Sequence, residues 1–191
     1  MNERREFLNT QKEDLLKAKA LLESTINDMD DEVKVRFKST FEAIRLSFQK
    51  TFTQMFGGGQ ADLILTSEDL LDAGIEIAVQ PPGKKLASLN LMSGGEKSLT
   101  ALALLFAIIR VRTVPFVVLD EVEAALDEAN VKRFGDYMTR FDESSQFIVV
   151  THRKGTMKAA KAMYGVTMQE GGVSKIVSVK LKDFVADDAQ V

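Results

Sequence analysis

The chain has 191 residues, 45% of them hydrophobic and 28% charged, enough for one domain with a real core plus an appendage and too little for two. It has no cysteine and one histidine, which excludes a disulfide framework, a thiolate metal site and a His-rich metal cluster, and fits a reducing cytosol. A net charge of −3 exerts no general pull on nucleic acid, so any DNA contact must come from a local patch or a larger assembly.

Met1 to Leu8 carries Glu3, Arg4, Arg5 and Glu6 around no apolar centre, so it is not expected to act as a secretory signal. No stretch reaches the roughly 18 apolar residues of a membrane helix. The longest, Leu99 to Ile109, is interrupted by Thr100, and a soluble protein without membrane contact is the expectation.

Residues 1–56 lack both proline and glycine, and Leu8, Leu15, Leu22 and Met29 recur every seven residues. With Ala18, Ile26 and Val33 in alternate seam positions, the segment reads as a coiled-coil strand, weakened early on by Gln11, Lys12 and Lys19. Such a strand needs a partner helix. Farther along, the stripe becomes Val33, Phe37, Phe41, Ile44, Phe48, Phe52 and Met55, more aromatic surface than a thin zipper uses, so this end is expected to dock on a globular body.

Gly57-Gly58-Gly59 should stop the helix. A phosphate-binding loop would need G-x-x-x-x-G-K followed by Ser or Thr, and neither this triplet nor Gly83-Lys84 fits. Asp62 to Thr66 and Ile75 to Gln80 alternate like antiparallel strands, Pro81-Pro82-Gly83 force an extended loop, and Lys84-Lys85 bring positive charge toward the segment after them.

That segment is Leu91-Met92-Ser93-Gly94-Gly95-Glu96-Lys97-Ser98, continued by an apolar run ending at Arg110. Ser93 and Glu96 have the spacing of a capping box, so Ser93 should cap a helix whose first free amides belong to Gly94, Gly95 and Glu96. A bare helix start of this kind attracts anions; an ordinary capped core helix has the same pattern. Pro115 opens a short apolar strand that ends in Asp120 and Glu121, and a second such strand, Gln146 to Val150, ends in Thr151 and His152. Strands apolar on both faces belong inside a parallel sheet, and ligands sit at their carboxyl ends, so the acid pair and the histidine should share one edge. Between them, Asp127 to Met138 should be a helix capped by Asp127, with Val131, Phe134 and Met138 inward; Lys154 to Met163 is expected to be helical, and Gly165 to Gln169 and Ser174 to Leu181 to be closing strands split by Gly171-Gly172. The tail 186–191 should be loose.

Taken together, these motifs resemble an ABC-type ATPase: Ser93-Gly94-Gly95-Glu96 its signature motif, Val117 to Glu121 its Walker B strand, Ala125-Leu126-Asp127 its D-loop and His152 its switch histidine. FGGGQADLIL, GIEIAVQPPGKKL, LNLMSGGEKSLTALALLFAI, LDEVEAALDEANVKRF and VVTHRKGTM narrow the likeness to the C-terminal head region of bacterial SMC proteins, the chromosome-organising ATPases. The resemblance implies an α/β fold: the C-terminal lobe of an ABC-type, P-loop NTPase-like head with a mostly parallel sheet. A coiled-coil neck over 1–56 would precede a half-head over 57–185. It implies ATP and Mg²⁺ as cofactors, with Asp120 holding Mg²⁺ through water, Glu121 as catalytic base, His152 at the γ-phosphate, and Ser93, Gly94, Gly95 and Glu96 facing a nucleotide on the opposite head. Walker A would then come from the N-terminal half of the head. Other implied partners are a second SMC head, a kleisin subunit on the neck or closing strands, and DNA through the assembled complex, in the cytoplasm at the nucleoid.

Blander alternatives stand beside each assignment. Strand-end carboxylates also cap helices, a lone histidine is commonly a satisfied core residue, Glu123 reads as structural, and Arg153 and Lys154 are open to two readings, as bases that reach phosphates or as the exposed bases that are commonplace after a strand. At the level of the whole chain, the alternatives are a non-catalytic kleisin-binding module and a DNA-repair ATPase fragment of the Rad50 or RecN type.

Overall fold

A computed structural model describes residues 2–85, 87–141 and 145–180. The chain begins with one helix, α1 (Asn2–Phe56), which at 1.5 Å per residue extends for about 80 Å. Its two halves meet different surroundings. The heptad positions Leu8, Leu15, Leu22 and Met29 are all exposed, Leu15 by 70%, whereas Phe41, Phe48, Phe52, Met55 and Phe56 are buried. Phe37 and Ile44 pack at the margin of the core, and Val33 remains exposed. The phenylalanine stripe therefore docks as its composition requires, starting one position later than expected.

Helix α1 ends at Gly57, Gly58 and Gly59, all with positive φ. Only glycine suits Gly59, since at φ +82 a Cβ would come within 2.3 Å of the Gln80 carbonyl. The returning chain forms β1 (Gln60–Leu65), antiparallel to β2 (Ile75–Gln80), which pairs in turn with the two-residue β3 (Ala87–Ser88). Arg45 on α1 ties this sheet down through a two-pronged contact with Asp62 on β1, Nε–Oδ1 2.5 Å and Nη2–Oδ2 2.7 Å, and the Gln49 amide donates to the same carboxylate at 3.0 Å.

Next comes α2 (Gly94–Val111), packed along α1 with Leu99, Leu102, Ala103, Phe106 and Ala107 buried. A parallel pair follows, β4 (Phe116–Asp120) and β5 (Gln146–Val150), joined by the crossover helix α3 (Glu128–Thr139). The Phe106 ring lies at the centre of the core, 5.0 to 6.0 Å from the rings of Phe134, Tyr137, Phe141 and Phe147. Tyr137 also shares a buried 3.2 Å hydrogen bond with Thr51 of α1, which joins α3 to the long helix. The opposite face of the parallel pair, with Phe116, Val118, Ile148 and Val150, is exposed.

The last described elements are the short α4 (Lys154–Ala159) and the hairpin β6 (Ala162–Glu170) with β7 (Val173–Lys180). Helix α4 lies close against α3 because Gly155 has no side chain: a Cβ there would sit 2.8 Å from Val131 Cγ1. This corrects the expected helix of Lys154 to Met163. The backbone turns extended at Ala160 (ψ 144), and Ala162 and Met163 already pair with Lys180 and Val179 in the hairpin.

A mostly parallel sheet is likewise not what the described strands form. They make three small sheets, of which only β4–β5 is parallel. The connections explain this, because parallel neighbours need a long crossover and α3 supplies the one such crossover between paired strands, whereas β1–β2 and β6–β7 are joined by short links that dictate antiparallel pairing. Leu181 and the tail 186–191 lie outside the described residues.

Candidate functional site

The β4–β5 ladder is in register, with Phe116 opposite Gln146 and Asp120 opposite Val150. Residues just beyond these strand ends are consequently neighbours. The Glu121 amide continues the ladder by donating to the Val150 carbonyl at 3.0 Å, and the chain then turns sharply with Glu121 at φ +46. A left-handed non-glycine residue costs about 1 kcal/mol or more, and such strain concentrates at functional positions. It directs the Glu121 carboxylate to the carboxyl edge of the pair, where Oε1 lies 3.5 Å from His152 Nδ1. Both side chains are more than half exposed, so neither is a packed core residue.

Asp120, the last residue of β4, is exposed, and no hydrogen bond or ion pair engages its carboxylate among the described residues. No group of three or more His, Asp or Glu able to hold a metal unaided occurs among those residues either. A single free carboxylate at the carboxyl end of a parallel strand is nevertheless of the type that suits Mg²⁺, which takes one or two carboxylates and completes its shell with water and phosphate oxygens.

Ser93 is a true N-cap. Its Oγ accepts from the Glu96 amide and donates to Glu96 Oε2 at 2.9 Å, while its own amide donates to the same oxygen at 3.2 Å, closing the capping box. Lys84 Nζ adds bonds of 2.7 and 3.0 Å to the two Glu96 oxygens. The lysine, chiefly, with the Ser93 bonds in support and partial burial opposing, holds the Glu96 carboxyl below its ordinary range. The positive charge at Lys84 is thus committed to the start of α2. Ser93 and Gly94 remain exposed, and a Cβ on Gly94 would meet nothing within 4 Å. Gly95 faces the next motif, its Cβ position being 3.5 Å from the Ala125 carbonyl and 3.8 Å from Asn130 Nδ2. Asp127 caps α3 by accepting from the Asn130 amide at 2.8 Å.

The structure therefore assembles the site residues in two groups. Glu121 and His152 meet at the strand edge, directly after Asp120 and Val150, the paired last residues of β4 and β5; Ser93 to Glu96 open α2 beside the Ala125–Asp127 segment. No hydrogen bond or ion pair joins the two groups among the described residues. Arg153, an expected exposed base, is instead turned inward, where its guanidinium donates to the Leu126 carbonyl and its Nε is buried. Thr151, to which the sequence pattern alone assigns no role, donates its hydroxyl to the buried Glu123 carboxylate. A polar residue ending an apolar strand and an acid within a turn were the available signals.

Residues 3–175 match the family model for the RecF/RecN/SMC N terminal domain. The chain belongs to this family. It is 60% identical over 184 residues, 96% of its length, to the chromosome partition protein Smc of Bacillus subtilis, of which it spans only 16%. Among solved structures, it is similar to the Smc head domain with an extended coiled coil from Pyrococcus furiosus, bound to the C-terminal domain of ScpA, at 40% identity and a TM-score of 0.76, covering 99% of this chain and 48% of that one. A structure from work on ATP-driven dimerization and DNA stimulated activation of SMC ATPases matches at 41% identity and a TM-score of 0.71, covering 83% of this chain and 98% of the other. The α/β head fold and the long helix leaving it are thus family features. No helix among the described residues is long and apolar enough to cross a membrane.

Proposed function

We propose that this chain is the C-terminal half of the ATPase head of a bacterial SMC protein, with 1–56 as its coiled-coil neck, 57–185 as the half-head and 186–191 as a tail, acting in chromosome partition in the cytoplasm at the nucleoid. The observation that carries the reading is the 3.5 Å approach of His152 to Glu121 at the carboxyl edge of a parallel strand pair, directly after Asp120. ATP hydrolysis calls for a metal held near the phosphates, a base for the attacking water and a group at the γ-phosphate. Asp120 holds Mg²⁺ through water, Glu121 accepts the proton of the water, and His152 contacts the γ-phosphate.

The sequence has no Walker A pattern, so the lysine and hydroxyl that cradle the phosphates come from the N-terminal half of the head. Ser93, Gly94, Gly95 and Glu96, on an exposed capped helix start, contact the nucleotide of a second head in a homodimer, with Asp127 on the same side as the D-loop. ATP then joins two heads, and its hydrolysis releases them. The exposed seam of Leu8, Leu15, Leu22 and Met29 receives an antiparallel partner helix of the same protein. DNA engages the assembled complex.

A second reading, a kleisin-binding module that catalyses nothing in isolation, is favoured by the β6–β7 hairpin, whose Tyr164, Val166, Met168 and Ile176 are all exposed. The two are compatible within one complete head. The test joins this chain to the segment bearing Walker A: ATP turnover should appear and be lost in Glu121→Gln. Ser93→Arg should abolish ATP-driven pairing of heads while leaving ATP binding to one head intact. Unchanged turnover in Glu121→Gln overturns the catalytic assignment, and loss of single-head binding in Ser93→Arg reduces Ser93 to a structural cap.

A further inference from the structure

Glu123 is only 1% exposed, although it lies two residues beyond Glu121 in an otherwise open turn. Its Oε1 accepts a hydrogen bond from the Thr151 hydroxyl, and the same hydroxyl oxygen accepts from the Arg153 amide at 2.9 Å. Arg153 then reaches back, its guanidinium donating to the carbonyl of Leu126, the residue before Asp127. Two bridges therefore connect the turn after β4 with the loop after β5. His152 stands between their anchors. Its ring is exposed and approaches Glu121 at 3.5 Å, longer than a hydrogen bond, so its position rests on the neighbours that hold its backbone.

Burial of this kind is costly for a carboxyl group that does nothing but fill space. Glu123 Oε2, Arg153 Nε and Thr156 Oγ1 are all buried without a hydrogen-bond partner among the described residues, so an apolar residue at 123 would pack with fewer unmet polar groups. What the carboxylate contributes instead is directional: it fixes the χ1 of Thr151 and, through the Arg153 amide, the path of the backbone on both sides of His152.

We propose that Glu123 and Thr151 are positioning residues that hold His152 in register with Glu121 and lock the switch loop to the D-loop segment as one unit. The proposal rests on the ATPase reading above and extends it to residues that touch no nucleotide. Rigid support of this type governs turnover more than binding, because misplacing a reacting group by about 1 Å can cost up to about 100-fold in rate.

The chain has one histidine, so its ring signals in a proton–carbon NMR spectrum report this geometry without any activity measurement. In Thr151→Val, the His152 ring resonances should shift and broaden, whereas Thr151→Ser, which keeps the hydroxyl, and Glu123→Gln, which keeps an acceptor oxygen, should stay near those of the parent. In the joined ATP-hydrolysing head, Thr151→Val should lower kcat about 10- to 100-fold with KM for ATP within about twofold of the parent, and Thr151→Ser should restore most of the loss. Superimposable ring signals in Thr151→Val, or equal kcat losses in Thr151→Val and Thr151→Ser, overturn the proposal. If Thr151→Val does not fold, Thr151→Ser and Glu123→Gln decide it, since ring signals displaced in both of them also overturn it. Failure of the ATPase reading is separately visible: Glu121→Gln would then leave turnover unchanged while the NMR result stood.

Discussion

The contact that fixes where the long helix meets the first sheet gives a quantitative test. The Asp62 carboxyl is lowered from 3.8 to about 2, first because Arg45 donates to it through both prongs, against partial burial, with Gln49 and the Leu63 amide in support. A carboxyl with a depressed folded value stabilises the fold above its unfolded value and loses that contribution as pH falls, here between about 3.8 and about 2. Taken at face value the difference corresponds to roughly 2.4 kcal/mol. Both side chains are about a third exposed, 36% for Arg45 and 33% for Asp62, and solvent screening reduces the expected contribution to about 1 kcal/mol. Asp62→Asn should accordingly lower the urea-unfolding free energy by about 1 kcal/mol at pH 7, with the gap to the parent closing as pH falls toward 2. A gap that stays constant across that window would mean that packing at residue 62, not the charged contact, is what α1 and β1 share.

Two further substitutions probe the backbone and the core. Gly59→Ala should cost about 3 kcal/mol, because it adds a collision with the Gln80 carbonyl to the left-handed strain, whereas Gly57→Ala, at φ +72 with nothing within 4 Å, should cost about 1 kcal/mol by thermal denaturation; equal losses would contradict the close approach. Phe106→Ala removes the ring on which Phe134, Tyr137, Phe141 and Phe147 converge and should cost about 3 to 5 kcal/mol or prevent folding, and a loss under about 1 kcal/mol in urea unfolding would show that this cluster is not the centre of the core.

What the sequence makes legible is what is local or periodic. The capping box at Ser93 and Glu96, the cap at Asp127 and the glycine stop after α1 each depend on residues a few positions apart, and each forms as its spacing requires. The change along α1 from a heptad seam to a phenylalanine face is likewise written in its residue types, because the rings of Phe41, Phe48, Phe52 and Phe56, within about four helical turns, need a body to bury them. Sheet organisation is less accessible. Apolar strands at 116–120 and 146–150 suggest an extended parallel sheet, but the number of parallel neighbours depends on crossovers, and among the described residues only α3 provides one between paired strands. The inward turn of Arg153 is hidden for a related reason: whether a base after a strand reaches solvent or the Leu126 carbonyl depends on how closely α4 packs on α3, which is decided by the missing side chain of Gly155.

The meeting of Glu121 and His152 obeys the same logic. Neither residue specifies the other, and 30 residues separate them along the chain. Their encounter is a consequence of register, since parallel pairing of Phe116 with Gln146 makes the residue after Asp120 a neighbour of the residues after Val150, and the Glu121 amide bond to Val150 extends the ladder that one step. A slip of one residue would turn Val117, Leu119, Phe147 or Val149 out of the core face and carry the histidine away from the carboxylate together. The burial pattern that stabilises the strands is therefore also what sets the spacing of the candidate catalytic pair, so that substitutions on the core face of β4 or β5 should disturb Glu121 and His152 before they unfold the domain.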